Sequence, residues 1–182
     1  METSDEQLML EYRDGTAAAF ETLYARHKAP LFRFVLRSVR ERGQAEELHH
    51  DIWMRVIEAR SRYEPQARFT TWLYTIAHNR LVDHWRKGGL RVVSLDDENA
   101  EVEEPEGNPG LNPERQAQAR QGLERLATAI AALPPAQREA FLLREEGGLS
   151  VEEIAAATGT NAEAAKSRLR YAMAKLKAAL DG

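Results

Sequence analysis

Apolar residues recur every three or four positions along most of the chain, which is the spacing of amphipathic helices. No segment alternates apolar and polar residues as a half-buried strand does. In the N-terminal half the pattern predicts a short helix over residues 8–12, a longer one over residues 20–35 with a candidate kink at Pro30, one carrying Ala45, Leu48, Ile52 and Val56, and an aromatic-rich one over residues 69–85. A turn at Asp14-Gly15, a stop at Gly43 and a loop at Pro65 separate these helices.

The C-terminal third predicts four further helices. Leu123, Leu126, Ile130 and Leu133 fall on one helical face, and Pro134-Pro135 end that helix. Pro135 also suits the first turn of the next helix, over residues 136–146. Gly147-Gly148 then lead into the last two helices.

These last two helices are joined by a very short turn. Ser150 and Glu153 have the spacing of a capping box, so the first of them should begin at Val151. Gly159 can take the left-handed conformation that ends this helix, and Thr160 with Glu163 repeats the capping spacing. The second helix must therefore begin within about four residues. This arrangement is a helix-turn-helix, a shape that fits the major groove of DNA.

The final helix is basic on the side opposite its predicted buried stripe. That stripe comprises Ala165, Leu169, Ala172, Met173, Leu176 and Leu180. The outward positions are Glu163, Ser167, Arg170 and Tyr171, flanked by Lys166 and Arg168. Between residues 161 and 180, five Lys or Arg stand against one Glu, in a chain whose net charge is -4. The pattern favours DNA binding, and a solvated amphipathic helix is the alternative interpretation.

Charge divides the chain into three parts. Residues 1–93 carry a net charge of +2, residues 94–115 carry -7 and residues 116–182 carry +1. The acidic segment is rich in Pro and Gly and lacks apolar periodicity, which predicts a linker. We therefore predict an all-α protein with an N-terminal helical bundle (residues 1–90), an acidic flexible linker (residues 91–117) and a four-helix helix-turn-helix domain (residues 118–182). The linker is either a solubilising spacer or a functional polyanion.

Composition excludes several classes of protein. The 182 residues are 43% hydrophobic and include no cysteine, so disulfides and thiolate metal sites are excluded and a reducing cytoplasm is a suitable location. The acidic N-terminus and the shortness of every uncharged run predict no signal peptide and no membrane insertion. The five histidines include no pair four residues apart. With no phosphate loop, dinucleotide fingerprint or nucleophile elbow, the sequence predicts no enzyme activity, no metal and no cofactor.

Several motifs in order resemble one family. EELHHDIWMRVIEA from Glu46, then ARFTTWLYTIAHNRLVDHWRK, LPPAQREAFLLREEGGLSVEEIAAATGT and KSRL are similar to regions 2 and 4 of the extracytoplasmic-function sigma factors. The resemblance covers nearly the whole chain except its linker. It implies a subunit that binds core RNA polymerase, captures and helps melt the minus-10 element of promoter DNA through region 2, and recognises the minus-35 element through region 4.

The same resemblance implies three sets of contact residues. The polymerase-binding set is Glu47, His50, Asp51 and Arg55, although the family usually has glutamine where this chain has His50. The minus-10 set is Phe69, Trp72, Asn79, Arg80, His84, Arg86 and Lys87. The helical spacing of Phe69 and Trp72 also suits the core, so Asn79, Arg80, Arg86 and Lys87 are the better candidates for contact with a strand or phosphate. The minus-35 set is Lys166, Ser167, Arg168, Arg170 and Tyr171.

Of the minus-35 set, Ser167 and Arg170 face outward towards bases, whereas Lys166 and Arg168 suit phosphates. Where the family commonly has Gly-Thr-Val before this set, the chain has Glu163-Ala164-Ala165, which loses a hydroxyl and adds an acid near DNA. In the same frame, the acidic linker is expected to imitate a phosphate chain inside polymerase channels. An anti-sigma factor that covers both DNA-binding domains is a further partner implied by the family.

Two other classes of protein stay open. One is a conventional regulator that binds paired half-sites as a dimer through residues 120–182, with the N-terminal bundle as a sensor or dimerisation module. The other, weaker, alternative is a bundle that blocks or scaffolds another protein. Transcription from sigma-free core polymerase would separate the sigma factor from both alternatives.

Overall fold

The computed structural model describes residues 1–88 and 112–182. Within these ranges the chain forms eight α-helices and one short 3₁₀ turn, and no strand. The helices are α1 (Asp5–Arg13), α2 (Ala17–Val39), α3 (Arg42–Ala59), α4 (Phe69–Lys87), α5 (Pro113–Ala132), α6 (Pro135–Glu145), α7 (Val151–Thr158) and α8 (Ala162–Asp181), and the 3₁₀ turn is Arg60–Arg62. The predicted all-α fold with two helical domains is confirmed.

Helices α1 to α4 form the N-terminal domain around one apolar core. Every residue of the predicted apolar face of α3 is buried, and Trp53 joins it. The helix α2 runs across Pro30 without a break. It ends one turn earlier than the predicted stop at Gly43, because Arg40 takes the left-handed conformation (φ 66°) and Glu41 then caps α3 through the amides of Gly43 and Gln44.

Helices α5 to α8 form the C-terminal domain, which begins earlier than predicted. Asn112 accepts a hydrogen bond from the amide of Glu114, and Pro113 occupies the first helical position. Residues 113–117, which fall within the predicted linker, are helical because their cap, proline and acidic first turn together favour a helix start. The rest of the predicted linker, residues 91–111, lies outside the described residues, as do its acidic side chains.

The helix-turn-helix begins as predicted and differs at its turn. Ser150 and Glu153 form the full capping box at the start of α7, and Gly159 ends α7 with φ 69°. The cap of α8 is Asn161, whose side chain accepts from the amide of Ala164 at 2.8 Å, and so the prediction of Thr160 was wrong by one residue. The physical reason is that the Thr160 amide still donates to the Ala155 carbonyl and closes α7.

The two domains pack against each other, with α7 on α4 and α6 on α2. At Gly147 the backbone approaches the ring of Tyr74 closely, since a Cβ built there would lie 3.1 Å from a ring carbon. Among the described residues, no helix combines the length and apolar character needed to cross a bilayer.

The capping box makes a testable contribution to stability. We expect Ser150→Ala to lower the free energy of unfolding by about 1 kcal/mol, because the amide of Glu153 then loses its side-chain acceptor. Thr160→Ala is the matched control, since Asn161 rather than Thr160 caps α8, and it should change stability by less than about 0.5 kcal/mol. Urea unfolding followed by circular dichroism measures both, and equal effects would contradict the assignment of the caps.

Candidate nucleic-acid interface

The outer face of α8 presents the first cluster of predicted DNA contacts. Lys166, Arg170 and Tyr171 are exposed, and Ser167 and Arg168 are partly buried. The Arg170 guanidinium lies 5.3 Å from the centroid of the Tyr171 ring, within the range of a cation–π contact. The predicted set therefore lies together on one accessible side of the helix.

The inner face of α8 differs from the predicted stripe. Ala165, Ala172 and Leu176 are buried against the other three helices of the domain, whereas Met173 and Leu180 are 52% and 43% exposed. The prediction that Met173 and Leu180 are buried was wrong. Small alanines allow α8 to sit close to its neighbours, so the seam is narrow and positions at its edge stay in solvent.

The second cluster lies on α4, whose start is held by another helix. No side chain of its own caps α4, and the amide of Phe69 donates instead to the Glu6 carboxylate of α1 at 2.9 Å. Asn79, Arg86 and Lys87 are exposed towards the end of the helix, and His84 is partly buried. These side chains are available to a nucleic acid strand at the C-terminal half of α4.

Phe69 itself is a correction to the predicted minus-10 set. Its side chain has no exposed surface, and its ring packs against His27 and Trp72 with centroids 5.3 and 5.9 Å away. It has no surface on which a base can stack. Trp72 is partly buried and also packs against Tyr63, so it supports this region of the domain while part of its side chain stays accessible.

Two ion pairs join α4 to α3, where the predicted polymerase contacts lie. Asp51 accepts from Arg80 at 2.7 Å, and Arg55 donates to Asp83 at 2.9 Å. The hydrogen bond from Arg55 and the charge of that guanidinium lower the pKa of the Asp83 carboxyl, against a smaller opposing effect of desolvation. Glu47 and His50, by contrast, are exposed.

Sequence reasoning missed Asp83, although a signal was present. Arg80 and Asp83 are three residues apart on α4, and Asp51 and Arg55 are four residues apart on α3, so each helix offers one acid and one base on a single face. On α3 the acid precedes the base along the chain, and on α4 the base precedes the acid. The two faces can therefore pair each acid with a base. The predicted contacts Asp51, Arg55 and Arg80 are thus held by partners within the domain.

The adjacent histidines on α3 have different surroundings. His49 packs against Trp53 and Phe32, and its Nε2 lies 3.0 Å from the Lys28 carbonyl. Burial lowers the pKa of His49, and the hydrogen bond to Lys28 opposes that effect. Among the described residues, no group of three or more His, Asp or Glu side chains is arranged to hold a metal ion.

Both clusters lie in parts of the chain that match known protein families. Residues 23–91 match the model of Sigma-70 region 2, and residues 123–176 match that of Sigma-70, region 4. The first match contains α4 with its exposed side chains, and the second contains the helix-turn-helix.

Individual relatives match over nearly the full chain. The RNA polymerase sigma factor CarQ of Myxococcus xanthus is 36% identical over 93% of each chain. The ECF RNA polymerase sigma factor RpoE of Cereibacter sphaeroides is 34% identical over 92% of this chain and 88% of its own. The solved structure of CnrH, from Cupriavidus metallidurans, in complex with the cytosolic domain of CnrY has a TM-score of 0.71 at 25% identity and covers 98% of each chain.

Glu153, which starts the helix-turn-helix, generates a prediction about pH. Burial acts to raise the pKa of this carboxyl, but hydrogen bonds from Thr71 and Ser150 and the charge of Arg68 outweigh it, and the pKa is lowered. A carboxyl whose pKa is lowered in the folded state stabilises the fold above its unfolded pKa, and this contribution is lost as the pH falls through the folded value.

We therefore expect Glu153→Gln to destabilise the protein at pH 7, and we expect the difference from the natural protein to shrink progressively below about pH 4. The neighbouring exposed carboxylate gives the control Glu152→Gln, which should have little effect at either pH. Urea unfolding across this pH range measures the difference. A Glu153→Gln effect that does not depend on pH would refute the electrostatic explanation.

Proposed function

The chain belongs to the extracytoplasmic-function (ECF) family of RNA polymerase sigma factors, and from that premise we propose which of its surfaces performs each step of initiation. As a sigma factor it binds core RNA polymerase and directs it to promoter DNA, whereas RNA synthesis itself belongs to the core enzyme. Its place of action is therefore the cytoplasm, where polymerase and promoters are found.

The observation that carries the proposal in the C-terminal domain is the exposed basic side of α8, placed directly after a doubly capped turn. Such a helix enters the major groove with its N-terminal part towards the bases. We assign Arg170 and Ser167 to base edges of the minus-35 element, and Lys166 and Arg168 to phosphates. Tyr171 packs beside Arg170 and restricts where its guanidinium can lie.

The N-terminal domain is assigned the minus-10 element. A base that leaves the duplex needs polar and aromatic groups to replace its lost pairing and stacking. Asn79, Arg86 and Lys87 are exposed in the C-terminal half of α4 and supply polar and cationic groups, with the partly buried His84 among them and the partly buried Trp72 earlier in the same helix. Arg80 contributes by fixing α4 against α3 through Asp51, and Phe69 contributes from the core.

The outer side of α3 is assigned to core polymerase. Glu47 and His50 are exposed there and are free to meet a partner surface, while Asp51 and Arg55 are the polar groups between that surface and α4. An anti-sigma protein is a further partner, supported by the complex of CnrH with the cytosolic domain of CnrY. The acidic residues 94–115 are assigned the role of a polyanion within the polymerase.

Transcription tests the function as a whole. Purified protein added to sigma-free core polymerase with genomic DNA should produce transcripts with defined 5′ ends, absent without it. The double variant Asn79→Ala/Arg86→Ala should reduce these transcripts strongly, because the single strand loses contacts, while Arg144→Ala, an exposed arginine of α6, serves as the control. Specific binding to paired half-sites without core polymerase, and no transcripts, would favour the polymerase-independent regulator.

The proposed base contact and phosphate contact of α8 can be distinguished by measuring the sequence specificity and the salt dependence of DNA binding. Replacing Arg170 by Ala should reduce discrimination between the correct base pair and others at one minus-35 position by about 1–3 kcal/mol. Replacing Lys166 by Ala should weaken binding to all sequences alike and lower the slope of log affinity against log salt by about 1. Competition binding of the polymerase complex to promoter variants at several salt concentrations measures both. If Lys166→Ala changed base preference and Arg170→Ala did not, the two assignments would be reversed.

A further inference from the structure

Three carboxylates of the C-terminal domain face the N-terminal domain, and they are spaced seven residues apart. They are Glu139 on α6, Glu146 at the end of α6 and Glu153 on α7. Each has a partner on the opposite domain. Glu139 pairs with His78, Glu146 with Arg33 and Arg37, and Glu153 with Thr71 and Arg68.

Glu146 is the centre of this row. Its side chain is only 9% exposed, and its two oxygens accept from Arg33 Nε at 2.9 Å and from Arg37 at 3.2 Å. A carboxylate removed from water in this way is stable only while cationic partners replace its hydration. The contact is therefore specific for the position of α6 on α2.

The other contacts reinforce the same arrangement. Glu153 accepts from the Thr71 hydroxyl at 2.6 Å while it caps its own helix, and Arg40 at the end of α2 donates to the Ala131 carbonyl near the end of α5. The Ala131 carbonyl is one of the last of α5, where cationic groups are favourable. The row of contacts thus spans α5, α6 and α7 on one domain.

In the packed arrangement, α4 and α8 lie too close together to reach both promoter elements at once. Helix α4 packs on α7, and α7 packs on α8, so with about 8–10 Å between packed helices α4 and α8 lie on the order of 20 Å apart. The minus-10 and minus-35 elements are separated by about 25 base pairs, or on the order of 85 Å of duplex at about 3.4 Å per base pair. The two sites cannot be occupied together while the domains stay packed.

From these contacts, and given the proposed function, we propose that Glu139, Glu146 and Glu153 form an electrostatic latch that holds the free protein closed. The latch must be released before the two domains engage one promoter. Closure does not depend on covering the DNA contacts, since Lys166, Arg170, Asn79 and Arg86 all stay exposed. The closed state prevents promoter binding because it keeps the two domains too close together to reach both elements. Covalent geometry permits the separation, because the stretch from Gly88 to Asn112 can extend to on the order of 80 Å.

The absence of cysteine allows labels to be placed cleanly. Cysteines introduced at the exposed positions Glu21 of α2 and Lys177 of α8 carry spin labels, and pulsed dipolar spectroscopy gives the distance distribution in the free protein. We expect one short distance in the natural protein at about 0.05 M salt and a growing long component at about 0.5 M, since exposed parts of the network are screened.

The decisive comparison is between neighbouring carboxylates. Glu146→Gln keeps the side-chain shape and removes the charge, and it should lower the ratio of closed to open protein at least about tenfold. Glu145→Gln, an exposed residue one position earlier, removes the same charge and should leave the distribution unchanged. If Glu146→Gln fails to fold, Arg33→Gln/Arg37→Gln tests the same contact from the other domain. A predominantly long distance in the free natural protein at about 0.05 M salt, or equal distributions for Glu145→Gln and Glu146→Gln at that salt concentration, would overturn the latch.

A second measurement uses the labelled natural protein bound to core polymerase and promoter DNA. The distance should increase over that of the free protein, and an unchanged short distance would refute the required release. Because the first measurement uses neither polymerase nor DNA, it judges the latch even if no transcripts form. Loss of transcription with an intact closed state would count against the proposed function alone.

Discussion

The Glu153 carboxylate links the start of the helix-turn-helix to the packing of the two domains. One of its oxygens accepts from the Ser150 amide and so completes the start of α7, and the other accepts from the Thr71 hydroxyl of α4. The same group thereby sets where α7 begins and where α7 lies on the other domain. Because α8 follows α7 after the turn that ends at Asn161 and also packs on α5 and α6, the position of α8 depends on this contact together with the packing inside its own domain.

In the N-terminal domain, too, a few side chains connect two functional surfaces. Four residues form the two ion pairs between α3 and α4. The partners of Asp51 and Arg55 are Arg80 and Asp83, which lie on the helix proposed to bind single-stranded DNA. The surface proposed for polymerase and the surface proposed for DNA therefore lie on two helices that are joined by ion pairs. The two ion pairs connect α3 and α4 at two points, and Lys87 and Arg80 also act on the Asp83 carboxylate through their charges.

Helix content, the capping box and the turn at Gly159 were predictable because each depends on neighbours within four residues. The errors came from competing local signals. Asn112 with Pro113 resembles a loop in an acidic segment, although the same residues cap α5. At Thr160 the backbone was already committed to closing α7. Contacts between distant segments, such as Arg33 with Glu146, have no periodicity to reveal them, and the burial of Phe69 among aromatic rings depended on how three helices meet.

The C-terminal domain carries an acidic row at the contact with the N-terminal domain and a basic set on α8, and these two sets join its two proposed roles. Its acidic row contacts the arginines of α2 and the start of α4, while Lys166 and Arg170 on the basic side of α8 are exposed to solvent. When the domain is released from the N-terminal domain, the exposed basic residues of α8 attract DNA and the acidic row repels it, which favours encounters through α8. The carboxylates that hold the closed state thus also oppose the wrong orientation in the open one. A chain with net charge -4 binds a polyanion by separating its charges in this way, since its overall charge alone would oppose the encounter.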